Sequence, residues 1–141
     1  MPLTNSEIKI GIVAYLDVAK LNSDAAVTKP SSLATRNGPF VCFATKGQVS
    51  AWVEISTQHR EERLEIKREW RKGGAGAWLT DKQYVNDGSS SYVGPKGSFV
   101  LASVGVDKFN AATRPRVATD GIKAVLEEVT SRGGPLIAGG T

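Results

Sequence analysis

Glycine and proline break this chain at short intervals. Fifteen glycines and six prolines fall among 141 residues, and the apolar segments between them are brief. That spacing suits short strands joined by turns better than long helices. Residues 8–16 (IKIGIVAYL) open with alternation and are rich in β-branched side chains, which predicts a strand. Residues 40–44 (FVCFA), a turn at Lys46-Gly47-Gln48, and residues 49–55 predict a β-hairpin. Residues 63–67 alternate with period two and predict a short strand; Leu64, Ile66 and Trp70 do not form one helical stripe. Residues 98–104 (SFVLASV) predict another strand.

The one helix predicted is at the end. Ile122, Val125, Leu126 and Val129 fall on a single face, and Thr119 is placed to cap it. Arg132 closes the last turn, and Gly133-Gly134-Pro135 stop it. The expected helix covers about 119–132, with a frayed tail at 133–141. The polar stretch 20–38 reads as a long loop. Residues 71–98 are rich in Gly and Ser but carry Trp78, Tyr84 and Tyr92, so they read as a structured excursion packed on the barrel rather than a linker. Short strands followed by one helix imply a mainly β, α+β fold: a single domain over 1–141, with a small, strongly bent antiparallel sheet or barrel at about 7–106.

Several function classes are excluded or disfavoured. No apolar run approaches the ~20 residues of a membrane span, and the polar N-terminus lacks a signal-peptide layout. Cys42 is the only cysteine and His59 the only histidine, which rules out an internal disulfide and argues against a structural zinc site. A cytoplasmic protein is the expectation. Cys42 sits in an apolar strand and reads as a small buried residue rather than a nucleophile. There is no phosphate-cradling GxxxxGK[ST] loop and no GxSxG elbow. Gly73-Gly74-Ala75-Gly76 reads as a flexible turn.

The net charge is +4, and its distribution is uneven. Residues 36–72 hold eight bases against five acids, the local excess that a polyanion-binding face needs. A solvated mixed-charge surface is the plainer reading of the same run. Within it, residues 54–60 (EISTQHR) gather two hydroxyls, an amide, an imidazole and a guanidinium at one strand end. Hydroxyls and guanidinium groups donate to phosphate oxygens. Cleavage of a phosphodiester by its own 2′-hydroxyl needs a proton acceptor, a proton donor and positive charge on the phosphate, and no metal.

The order of elements resembles the PemK/MazF family of toxin endoribonucleases, compact SH3-like barrels that end in a helix. The matching stretches are 11–17, the loop to Arg36, Gly38-Pro39-Phe40-Val41-Cys42-Phe43, Ala51-Trp52-Val53-Glu54-Ile55-Ser56-Thr57, residues 63–67, Ser98-Phe99-Val100-Leu101, and 117–129. The family usually places its loop Arg directly before Pro, whereas Asn37 and Gly38 separate Arg36 from Pro39 here. The resemblance implies an SH3-like barrel and metal-independent cleavage of single-stranded RNA, with no cofactor. It also implies a homodimer and a neutralising antitoxin. It assigns Arg36 and Thr57 to the scissile phosphate, with Ser56 as neighbour. His59 joins them as the catalytic acid or base, and Gln58, Arg60, Arg63 and Trp78 complete a substrate-binding set. A second reading is a non-catalytic SH3-like module that binds a protein or nucleic acid through 71–98. Exposed aromatics in that segment would favour base stacking or docking, buried ones a core role.

Overall fold

The computed structural model describes residues 2–138. The strands, in chain order, are β1 (Val13–Leu16), β2 (Gly38–Lys46), β3 (Val49–Ser56), β4 (Glu65–Ile66), β5 (Arg71–Lys72), β6 (Gln83–Val85), β7 (Tyr92–Pro95) and β8 (Arg116–Val117). The helices are α1 (Val18–Ser23), α2 (Ala77–Thr80), α3 (Lys96–Ser103) and α4 (Thr119–Arg132). The fold is α+β with a mainly antiparallel sheet.

The β2–β3 hairpin forms as its pattern predicts, with Gly47 turning at φ +58°. Val41 faces Val53 and Cys42 faces Trp52. The register then shifts between Cys42 and Ala44, a bulge that bends the strand. Beyond it β3 forks. Its first half pairs with β7 (Trp52 opposite Tyr92) and its last two residues pair with β6 (Ser56 opposite Tyr84). The path β1-β2-β3-β6-β4 stays open. A separate β5–β8 ladder lies beside it, and Ile12 bridges Arg116.

Both faces of the sheet are covered, which explains the unbroken apolar run at 40–43. Val41, Val53, Ile55 and Val85 pack with Ile122, Val125 and Val129 of α4. Phe40, Cys42, Trp52 and Tyr92 point the other way, into a second cluster with Leu21 of α1 and Phe99 and Ala102 of α3.

Several sequence expectations are corrected. Residues 98–104 lie largely in helix α3, not a strand. Phe99, Ala102 and Ser103 are buried at helical spacing while Leu101 is 63% exposed, and a short apolar run alone cannot tell the two apart. The first strand is only four residues long: the chain turns at Gly11, at φ +98° and packed against the Val117 carbonyl, before the strand begins. The 20–38 loop begins inside helix α1, whose N-cap Asp17 accepts from the backbone N–H of Ala19 and Lys20. Residues 71–98 are no excursion: they supply β5, α2, β6 and β7.

The C-terminal helix spans 119–132 as expected, and Gly133 ends it at φ +74°. Its N-cap is Ala118, with Thr119 the first helical residue. The tail is not frayed through 137. The N–H of Gly134 donates to Val129 O, Ser91 Oγ donates to Pro135 O, and Ile137 packs on the first core. Residues 139–141 of the expected frayed tail lie outside the described residues.

Candidate active site

Two segments far apart in sequence meet where β3 ends. The first is the strap between α1 and β2, which is tied down at several points. Tyr92, buried in the sheet, donates its hydroxyl to Asn22 Oδ1 at 2.7 Å and accepts from the N–H of Ala34 at 2.9 Å. Asn22 Nδ2 returns to Ala34 O at 3.0 Å. Ser90 Oγ donates to Ser32 O, and Asn37 Oδ1 accepts from the N–H of Val18. Arg36 sits between these anchors. It is exposed, and among the described residues its guanidinium has no hydrogen-bond partner.

The second segment is the turn after β3. Ser56 Oγ accepts from the N–H of Gln58, which curls the chain back. Arg63 braces the turn from outside: NH1 donates to Gln58 O and Ser56 Oγ, and Nε to Asn86 O. A cleft of about 300 Å³ opens between strap and turn, and Arg36, Glu54, Ser56, Gln58 and Asn86 are in its wall. A neighbouring cleft of about 350 Å³ shares Asn86 and Asp87 and carries Arg60, Arg63 and Arg132. Its three arginines face Glu62, Asp87 and Glu128. Charges of both signs balance in its wall, so an anion would have to be held by directed guanidinium contacts rather than by net charge.

Arg36, Ser56 and Gln58 therefore line one cleft, and Arg60 and Arg63 the next. Thr57 is exposed at the strand end but lines neither. His59 is exposed between Gln58 and Arg60, its ring 5.5 Å from that of Tyr84 in an edge contact. Trp78 is elsewhere. It is 7% exposed, Nε1 donates to Lys72 O, and the Arg71 guanidinium lies over its ring. That placement offers no open face for stacking a base, so the substrate-binding role expected for Trp78 is corrected to a core role. Tyr84 and Tyr92 are buried too.

Compared with known protein families, curated proteins and solved structures, the chain matches none. The site's chemistry is therefore read from its own residues. Among the described residues, no three His, Cys, Asp or Glu side chains gather as a metal site would require. No helix among them is long and apolar enough to cross a membrane. The Cys42 thiol is pushed up to about 12 by burial, which keeps it protonated and unreactive.

Glu54 is the residue that sequence reasoning passed over. It follows Trp52 on the same face of β3, where the apolar row gives way to the cleft. Asn86 Nδ2 donates to its Oε1 at 3.3 Å. Gly38 leaves room for Oε2, which an ideal Cβ at that position would approach to 3.2 Å. Burial raises the carboxyl to about 7, and the nearby Arg63 and Arg36 only partly oppose it. The signal was present: a lone acid in an otherwise uncharged strand.

Proposed function

We propose that this protein is a metal-independent endoribonuclease acting on single-stranded RNA at the cleft between the strap and the end of β3. The observation that carries this reading is the meeting of Arg36 with Ser56 and Gln58. Arg36 and Ser56 lie twenty positions apart in the chain, yet both line one polar cleft. An unpartnered guanidinium suits a phosphodiester, whose charge rises as a pentavalent centre forms. Gln58 and Ser56 hold the flanking oxygens. His59, beside the cleft, is the group for proton transfer, and Arg60 of the second cleft suits a neighbouring phosphate. Thr57 is exposed and lines neither cleft, so no contact with the scissile phosphate is assigned to it.

On this reading the sheet is the bent, incompletely closed form of an SH3-like barrel. The β5–β8 ladder and the Ile12–Arg116 bridge lead back towards β1, which supports it. A homodimer and an antitoxin belong to the same reading, and a neutralising protein would have to cover the Arg36 cleft. The module reading leaned on exposed aromatics in 71–98, and Trp78, Tyr84 and Tyr92 are all buried.

The test is cleavage of mixed-sequence single-stranded RNA in EDTA, with Arg36→Ala alongside. The expected products end in 2′,3′-cyclic phosphate and 5′-hydroxyl. Loss of one charge-stabilising donor should lower the rate about 10²-fold or more, with the fold unchanged because Arg36 is exposed. No cleavage by the wild type, or full activity in the variant, refutes the proposal.

A further inference from the structure

Glu54 is the only charged residue of β3. Its carboxylate is half-buried, a costly place for a charge. The fold does not repay that cost with an ion pair: the salt bridges among the described residues are Arg114–Glu7, Arg114–Asp107 and Arg132–Glu128. The single hydrogen bond it receives is the long one from Asn86. Its other oxygen, Oε2, has no hydrogen-bond partner among the described residues and borders the space kept open by Gly38. An acid that the fold does not use, in the wall of a cleft that also holds an unpartnered Arg, has the marks of a working group.

We infer that Glu54 is the proton acceptor for the attacking 2′-hydroxyl in RNA cleavage at this cleft, a role that rests on the nuclease reading above. The step balances without a metal or an oxidant. The 2′-oxygen gives its proton to the Glu54 carboxylate and bonds to phosphorus. The bond from phosphorus to the 5′-oxygen breaks, and that oxygen takes a proton from His59 or solvent. Arg36 faces the phosphate from the strap. The groups that face Glu54 are Arg36 from the strap, Arg63 from the turn, Asn86 beyond β6, and Tyr92 from β7, whose hydroxyl pKa is raised above its ordinary value by burial first and by the Glu54 charge second.

The physical consequence is a working range set by this carboxyl. Burial holds it near 7, so it carries a proton and cannot accept one in acid. On the acid side of neutrality cleavage should rise about tenfold per pH unit. A residue that only shaped the cleft would not give this dependence.

The experiment compares wild type, Glu54→Gln and His59→Ala on single-stranded RNA in EDTA between pH 5 and 9. Glu54→Gln should lose about 10²-fold or more in kcat and lose the rise through neutrality. His59→Ala should keep that rise. An uncleavable 2′-O-methyl oligonucleotide should bind wild type and Glu54→Gln alike. Folding is controlled by melting at pH 8, where Glu54→Gln should match or exceed wild type. At that pH the native chain carries a charge that burial disfavours, whereas in strong acid both states are protonated and the difference vanishes. Carbon-13 titration of the Glu54 carboxyl should give a midpoint near 7.

A midpoint below about 5 overturns the inference, since a group in the ordinary carboxylate range gives no rise towards neutrality. So does a wild type that cleaves beside a Glu54→Gln variant of equal rate, and the nuclease reading then survives. If the wild type cuts no RNA, the nuclease reading itself falls and the proton-acceptor role falls with it.

Discussion

Replacing Tyr92 by Phe removes a single oxygen and should loosen the strap that carries Arg36. The ring is fully buried and packs edge-on against Phe40 with centroids 6.1 Å apart; none of that changes. What is lost is a hydroxyl that donates to Asn22 Oδ1 and accepts from the N–H of Ala34. A buried group left without its partner costs about 1–3 kcal/mol. Ala34 is only half-buried, so water can partly replace the oxygen there. The two losses together should come to about 2 kcal/mol. Urea unfolding followed by tryptophan fluorescence reads this as a fall in midpoint of about 1 M with an unchanged slope. The double variant with Asn22→Ala should show coupling of about 1 kcal/mol, because one hydrogen bond is shared. If the single variant loses less than about 0.5 kcal/mol, the hydroxyl is not holding the strap and the reasoning fails. On the proposed nuclease reading, the same variant should also cleave RNA more slowly than its remaining stability explains, since Arg36 rides on the loosened segment.

Three other outcomes are expected. Arg114→Met should cost about 3–5 kcal/mol in a denaturant melt, because it takes the guanidinium away from the buried carboxylate of Asp107, whose Oδ2 lies 2.8 Å from it, and from Glu7. Gly121→Ala should destabilise by about 1–3 kcal/mol despite the better helix propensity of Ala. An ideal Cβ there would stand 2.6 Å from Val117 Cγ1 and 2.8 Å from Trp70 Cβ, and thermal unfolding measures the sign. Cys42 should resist a thiol reagent in the native protein and react at once in denaturant, because it is fully buried and protonated.

The parts of the fold legible from sequence are those with long, clean periodicity. The four apolar positions of α4 and the alternation of the β2–β3 hairpin leave little room for another outcome. Residues 98–104 failed because seven apolar and small residues satisfy either period, and only the second core, meeting Phe99 and Ala102 but not Leu101, decides for a helix. Helix α1 was hidden although Asp17 is a good N-cap, because its six residues are too few to show a stripe. At the site, residues 54–60 stood out as a polar cluster, and Arg36 entered through family likeness. Their meeting is a long-range fact carried by Tyr92, Asn22 and Ser90, none of which signals such a role in sequence. Glu54 was visible as a charge in an apolar strand but was passed over beside the more familiar His59.

The forked strand β3 also bears on the order of assembly. Its pairing with β2 is local, whereas Trp52 meets Tyr92 across about forty residues of chain. Local pairs close first, because bringing distant segments together costs more chain entropy. The hairpin can therefore form while β6 and β7 are still loose. At that stage Glu54 lacks Asn86, and the strap lacks both Tyr92 and Ser90. The cleft is thus a late product of folding, and a chain that opens only at β6 and β7 would keep its central hairpin and lose the cleft.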